Sequence, residues 1–332
     1  MRLGARAIAT VSALLLAASV AGARPAGVHV GVVLKSLDNP FFVAMYEGLS
    51  AEAGRRHVDA SIRAANGHAD LAGQAALVRA LVARKKDCYV VNPITSTNVI
   101  AALRGVRGPI VNVDSPIDVE AARRAGVHIH SFIGTNDFQA GKMAAARMVA
   151  LLPSGGTVAL VGGTADSVNS KYRLSGFERG IRATRIRVVA RVGADYDRAK
   201  AAVAAERSLQ QHPRLSGFFA VNDEMALGVS DTVRSAGKTG SVKIIGVDGI
   251  ADALDAVRNG SISATVSQYP YVMGQMAVEA CVAAARGARL PVRVDAPIAV
   301  VTRSNVGRAT ATFPRPFGAY SDPFERLLGK RR

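Results

Sequence analysis

Runs of β-branched and aliphatic residues alternate about ten times with Ala-rich amphipathic stretches, the pattern of strand-plus-helix units feeding parallel sheets. The apolar runs cover 28–34, 59–64, 87–91, 110–113 and 131–134, then 157–161, 186–192, 217–221, 243–247 and 263–267. Helical periodicity fills the gaps at 42–55, 71–84, 138–151, 175–183, 198–211, 223–236 and 272–286. Strands buried on both faces read as continuous apolar runs, and parallel neighbours need crossover helices. The sequence therefore predicts an α/β chain with two doubly wound parallel sheets of five strands each. No residue-level repeat accompanies the repeated unit.

At 332 residues the chain exceeds what one hydrophobic core usually serves, so two lobes of about 130 to 150 residues are expected. Residues 1–23 read as an export signal. Arg2 and Arg6 precede an apolar run over 7–20, and Ala21-Gly22-Ala23 offers the small residues a signal peptidase needs. That run is shorter than the roughly 20 apolar residues of a membrane-spanning helix, and no Cys stands at the cleavage point to carry a lipid. The formal charge is +17, and subtracting Arg2 and Arg6 leaves +15 for the exported chain. The basic residues are scattered and no helix-turn-helix or zinc-finger spacing precedes the first strand, which argues against a nucleic-acid partner. Cys88, in an apolar strand, and Cys281, on an apolar helix face, are the only cysteines. Two buried thiols are the simpler expectation; one bridge is open in an oxidising compartment, and spacing alone does not place them in bonding range. Residues 305–332 form a basic tail whose prolines and glycines break any periodicity, expected to wrap the surface or stay disordered.

Ligands of open α/β sheets bind beyond the carboxyl ends of the strands, where this chain collects polar and aromatic residues. Asn39-Pro40-Phe41-Phe42 follows the first strand: helix-start grammar would explain it, as would aromatic rings laid against a sugar with Asn39 on a hydroxyl. Asp114 and Asp248 end strands at equivalent places in the two halves. Each could be a turn residue, but a carboxylate also accepts two hydroxyls of a neutral polyol. Asn222 and Asp223 open a helix and could simply cap it. Arg173 lies near another expected helix start, and Gln268 follows the last long strand.

Taken in order, these motifs resemble the ribose-binding group of type 1 periplasmic sugar-binding proteins, the receptors of carbohydrate ABC importers. The likeness runs over about 28–301. It rests on the Asn-Pro-Phe-Phe turn, Val91-Asn92-Pro93, Arg173 before Gly176-Phe177, Asp195-Tyr196-Asp197-Arg198, the helix start Asn222-Asp223-Glu224-Met225, the Asp248-Gly249 turn and Gln268. The resemblance implies two lobes joined by three chain crossings, near Thr135-Asn136, Ser267-Gln268 and Pro297-Ile298. Lobe one would hold 27–135 plus 268–297, and lobe two 136–267 plus 298–304. It further implies a ligand set of Asn39, Phe41, Phe42 and Asp114 from lobe one, Arg173, Tyr196, Asn222 and Asp248 from lobe two, and Gln268 at the hinge. Expected partners are a small sugar or polyol and a membrane permease, with a chemoreceptor as a further candidate. The protein is expected to be periplasmic and monomeric.

Two departures bear on the ligand. Where ribose binders carry Arg after the first Asp this chain has Ser115, and where they carry Phe it has Tyr196. Ser115 is expected to leave space and Tyr196 to add a hydroxyl, favouring a hexose, inositol or sugar alcohol over ribose. With Arg173 as the one cation assigned to the pocket, a sugar phosphate is disfavoured. The alternative, an effector-binding lobe of a repressor-like or signalling receptor, would need a DNA-reading or signalling segment where the export signal stands. No GxSxG elbow, phosphate loop or HExxH motif is present, and His128-Ile129-His130 lacks a third ligand, so neither catalysis, a metal nor any other cofactor is expected.

Overall fold

Six strands, rather than the expected five, hydrogen-bond into each of two sheets in the computed structural model, which describes residues 27–329. The expected export signal lies outside those residues. The first sheet contains β1 (His29–Leu34), β2 (Asp59–Ala64), β3 (Cys88–Val91), β4 (Ile110–Val113), β5 (Ser131–Gly134) and β11 (Arg293–Asp295) in the order β11-β5-β4-β3-β1-β2. The second contains β6 (Gly156–Gly162), β7 (Ile186–Gly193), β8 (Gly217–Ala220), β9 (Lys243–Asp248), β10 (Ala264–Gln268) and β12 (Ile298–Val301) in the order β12-β10-β9-β8-β6-β7. All ladders are parallel except that of β12 on β10. Runs such as Cys88-Tyr89-Val90-Val91 are buried throughout, as strands covered on both faces must be.

The added strands are the edge pieces that complete a three-crossing hinge. The chain leaves the first sheet after β5, returns after β10, lays β11 beside β5, and ends in the second sheet with β12. In order, α1 (Pro40–Arg56), α2 (Leu71–Ala83) and α3 (Val119–Arg124) cover lobe one. Lobe two is covered by α4 (Asp137–Leu151), α5 (Val168–Ile181), α6 (Arg198–Gln211), α7 (Asp223–Ser235) and α8 (Ala251–Asn259), and α9 (Pro270–Ala285) packs back on α1. Three glycines permit the tightest helix contacts: a Cβ on Gly48 would lie 2.0 Å from the Tyr271 carbonyl oxygen, one on Gly141 2.0 Å from that of Arg173, and one on Gly228 2.0 Å from that of Arg198. Arg173 therefore sits inside α5, not near its start, because the helix begins seven residues before the periodicity expected at 175.

Two further expectations change. Cys88 and Cys281 are disulfide-bonded, with Cα atoms 5.6 Å apart, rather than free. The return of α9 to lobe one brings that helix against β3 across 193 residues of sequence. The tail is also ordered among the described residues: α10 (Val306–Thr312) packs on α8, and α11 (Pro323–Leu328) packs on α9 with Phe324 fully buried. Its buried apolar residues, Val306, Ala309 and Phe324, are too widely spaced to show as a periodic run.

Candidate ligand-binding cleft

The two strand orders are the same, so β1, β3 and β4 correspond to β6, β8 and β9, and their carboxyl ends face each other across one cleft. Local structure then aims the side chains. Asn39 caps α1, its Oδ1 accepting from the Phe41 N–H at 2.9 Å. Asn222 caps α7 by accepting from Met225 N–H at 3.0 Å. Both amide oxygens are thus engaged in capping, which leaves the Nδ2 groups to face the cavity. Asp223, buried beneath, accepts from the N–H groups of Gly249 and Ile250 and from Thr265 Oγ1, fixing the turn that carries Asp248.

A small cavity lies between the lobes, lined by Asn39, Phe41, Phe42, Asp114, Arg173, Tyr196, Asn222, Asp248 and Gln268, together with Lys35, His68 and Asn169. Of the residues expected from the sequence, Ser115 alone does not line it. Asp114 (φ 59°), Tyr196 (φ 63°) and Asp248 (φ 136°) adopt left-handed backbone conformations that L-residues rarely take, and all three sit at this cavity. Such strain persists where the surrounding structure holds it, typically at functional sites.

The polar groups form one buried network across the lobes. Lys35 Nζ lies 3.3 Å from Asp114 Oδ2 and donates to Ser115 Oγ. Asn92 Nδ2 donates to the same Asp114 oxygen at 2.9 Å. Ser115 Oγ donates to Asn169 Oδ1 at 3.0 Å, and Asn169 Nδ2 donates to Asp137 Oδ2 at 3.0 Å. Arg173 then pairs with Asp137 at 2.6 Å, donates to the Val221 carbonyl at 2.7 Å and reaches Asp248 at 3.5 Å. Gln268 Nε2 donates to Asp248 Oδ1 at 2.6 Å, while Thr135 Oγ1 donates to Gln268 Oε1.

Burial dominates the titration of this network. It lowers the Lys35 pKa against the opposing pull of Asp114. It pushes Asp137 up to about 6 and Asp248 well above the usual carboxylate range, with the Arg173 guanidinium opposing both shifts. Burial also works to lower Arg173, but the Asp137 and Asp248 carboxylates outweigh it and hold the guanidinium charged.

These contacts correct the expected pocket chemistry. Ser115 leaves no vacancy, because the Lys35 ammonium occupies the place beside Asp114. Arg173 is therefore not the sole cation. Two cations, Lys35 and Arg173, and two carboxyl groups, Asp114 and Asp248, line the cavity. The Tyr196 hydroxyl is hydrogen-bonded to Ser167, and burial raises it to about 12. Lys35, His68 and Asn169 were not anticipated. Each follows the carboxyl end of a strand, β1, β2 and β6, the rule already used for the residues that were.

The described geometry, with buried polar groups converging from both lobes on one small cavity, is that of a solute receptor. The chain belongs to the periplasmic binding protein domain family, which it matches over residues 30–289. It is 32% identical over 272 residues to the D-allose-binding periplasmic protein of Escherichia coli (strain K12), covering 80% of this chain and 87% of that protein. It is 31% identical over 277 residues to the ribose import binding protein RbsB of Bacillus subtilis (strain 168), covering 82% and 87%. A periplasmic solute binding protein of an ABC transporter from Actinobacillus succinogenes 130z, solved with bound D-allose, superposes with a TM-score of 0.81 at 26% identity, covering 84% of this chain and 99% of that one. The family's members are sugar-binding components of ABC importers rather than enzymes, and the effector-lobe alternative finds no support among these relatives. Among the described residues no helix is long and apolar enough to cross a membrane.

Proposed function

We propose that this receptor captures one aldohexose, with D-allose as the favoured candidate and D-ribose second, in the cavity between its lobes. The carrying observation is that Asp114 with Lys35 from lobe one and Arg173 with Asp248 from lobe two meet at one buried cavity. Hydroxyl-rich ligands are bound through such charged donors and acceptors, while Phe41 and Phe42, packed edge-to-face with ring centroids 5.2 Å apart, offer an apolar wall to ring C–H groups. Because ligands come from both lobes, a sugar contacts more partners in the closed shape than in an open one, and closure follows from that difference. The D-allose named in two relatives supports a six-carbon sugar.

The closed form is presented to an ABC permease, and the protein acts as a periplasmic monomer after cleavage behind Ala23. The Cys88–Cys281 disulfide supports export, since such bonds persist in oxidising compartments. A thermal-shift screen of pentoses, hexoses, inositols and linear polyols tests the ligand class, with a hexose expected to give the largest shift. A tenfold or greater preference for ribose, about 1.4 kcal/mol, refutes the hexose assignment. The intact mass of protein from a periplasmic extract tests the processing, and a full-length mass refutes it.

A further inference from the structure

The inner cavity is not the only space between the lobes. A wider opening lies outside it, lined by Asp38, Asn66, Thr164, Asp195, Arg198 and Glu224 among others. Three residues line both spaces: Asn39, His68 and Tyr196. They are therefore the wall between the ligand cavity and the exterior. The wall is split between lobes, since His68 belongs to the loop between β2 and α2 and Tyr196 to the loop between β7 and α6.

The two rings meet across that split. Their centroids are 4.9 Å apart and their planes 19° from parallel, an offset stack. Tyr196 is held from behind in two ways. Its hydroxyl is hydrogen-bonded to Ser167, and its ring lies so close to Gly163 that a Cβ there would come within 2.3 Å of it. His68 in turn leans on Phe42, 6.0 Å between centroids, which continues the aromatic row into lobe one. The row Phe41, Phe42, His68, Tyr196 thus runs from one lobe to the other over the cavity. Burial keeps the imidazole neutral, its pKa pushed down to about 4 with Lys35 adding to the effect, so the stack carries no charge into the wall.

We propose that His68 and Tyr196 form a cross-lobe gate that latches the closed shape and sets how fast the ligand escapes. The ligand side of this proposal rests on the sugar reading above; the latch itself does not, because the stack joins protein to protein. An aromatic pair of this geometry is worth a few-fold in a closure equilibrium, so its loss is expected to raise the escape rate about two- to tenfold. Opening the gate also exposes the inner cavity to the outer space, which admits ligands with a substituent too long for the closed wall.

The test is a double-mutant cycle on the full exported chain with His68→Ala, Tyr196→Leu and both together, with His68→Phe as the variant that keeps a ring. Two readouts are taken. Without ligand, the distance between spin labels placed on the exposed faces of the two lobes reports the closed fraction. With D-allose, stopped-flow reports dissociation. The expected result is a smaller closed fraction and faster dissociation for His68→Ala, the same for Tyr196→Leu, no further change in the double variant, and recovery in His68→Phe. A closed fraction and dissociation rate within twofold of wild type for His68→Ala, or fully additive single effects, overturns the gate. If D-allose binds no form of the protein, the ligand assignment fails while the ligand-free distances still decide the latch.

Discussion

Lys35 gives the sharpest perturbation of the cleft. Replacing it by Met keeps the approximate volume and removes the ammonium that lies 3.3 Å from Asp114 and donates to Ser115. In the empty protein two effects oppose each other. The substitution abolishes the burial cost that lowers the Lys35 pKa, yet it leaves Asp114 buried without its cation. Stripping one partner from a buried pair typically costs about 3 to 5 kcal/mol. Asp114 keeps the hydrogen bond from Asn92 Nδ2 at 2.9 Å, and the Ser115 hydroxyl, 3.2 Å away, can turn its one proton from Asn169 to it, so the loss falls below that range, at about 1 to 3 kcal/mol of unfolding free energy. For the ligand no compensation exists. A hydrogen bond from a charged donor is worth about 1.5 to 3 kcal/mol, which is about 10- to 150-fold in Kd. Urea unfolding without sugar and calorimetric titration with it separate the two quantities. Affinity within threefold of wild type would show that Lys35 serves only to neutralise Asp114 and does not meet the ligand.

Three further outcomes follow from named contacts. Ser115→Arg places a guanidinium against the Lys35 ammonium, and two like charges about 4 Å apart repel by roughly 4 kcal/mol at an effective dielectric of 20. Binding should collapse and return when Lys35→Ser is added, whereas equal binding in both variants contradicts this packing. Burial raises Asp137 to about 6 from 3.8, so its contribution to stability is present below pH 4 and is lost as pH rises through about 6, at most about 3 kcal/mol. Asp137→Asn should flatten the fall in ligand-free stability between pH 4 and 7, with Asp248 supplying the slope that remains; parallel curves refute it. Phe324→Ala should cost about 3 to 5 kcal/mol, because the ring is fully buried under α9, and a change below 1 kcal/mol would mean that α11 is not docked.

The parts of this molecule that were legible in the sequence are those whose chemistry is local. The ten expected strands declare themselves because buried parallel strands must be continuously apolar, and Asp114 and Asp248 because each ends such a run. The two missed strands are three and four residues long, each begins just after a proline, Pro291 and Pro297, and they gain their place only from the neighbours β5 and β10. Ser115 was misjudged for a similar reason. Its space is filled by Lys35, 80 residues earlier, and no local pattern links a residue after β1 to one after β4. Asn39, Asn222 and Tyr196 were placed at the cavity by motif, but the engagement of their polar atoms in caps and in the Ser167 contact is visible only in three dimensions. His68 stands in a loop with no motif of its own, and its stack with Tyr196 joins opposite lobes.

The central claim is that one monosaccharide occupies the cavity between the lobes, held by charged groups from both. Calorimetric titration of the purified protein with D-allose, repeated on Asp248→Ala, tests it most directly. The account predicts a single site per chain in the wild type and a loss of about 1 to 3 kcal/mol in the variant, since removing Asp248 leaves its ligand hydroxyls unpaired in a buried site. Binding of D-allose that is unchanged by Asp248→Ala, or no heat from any monosaccharide or polyol at millimolar concentration, would contradict it.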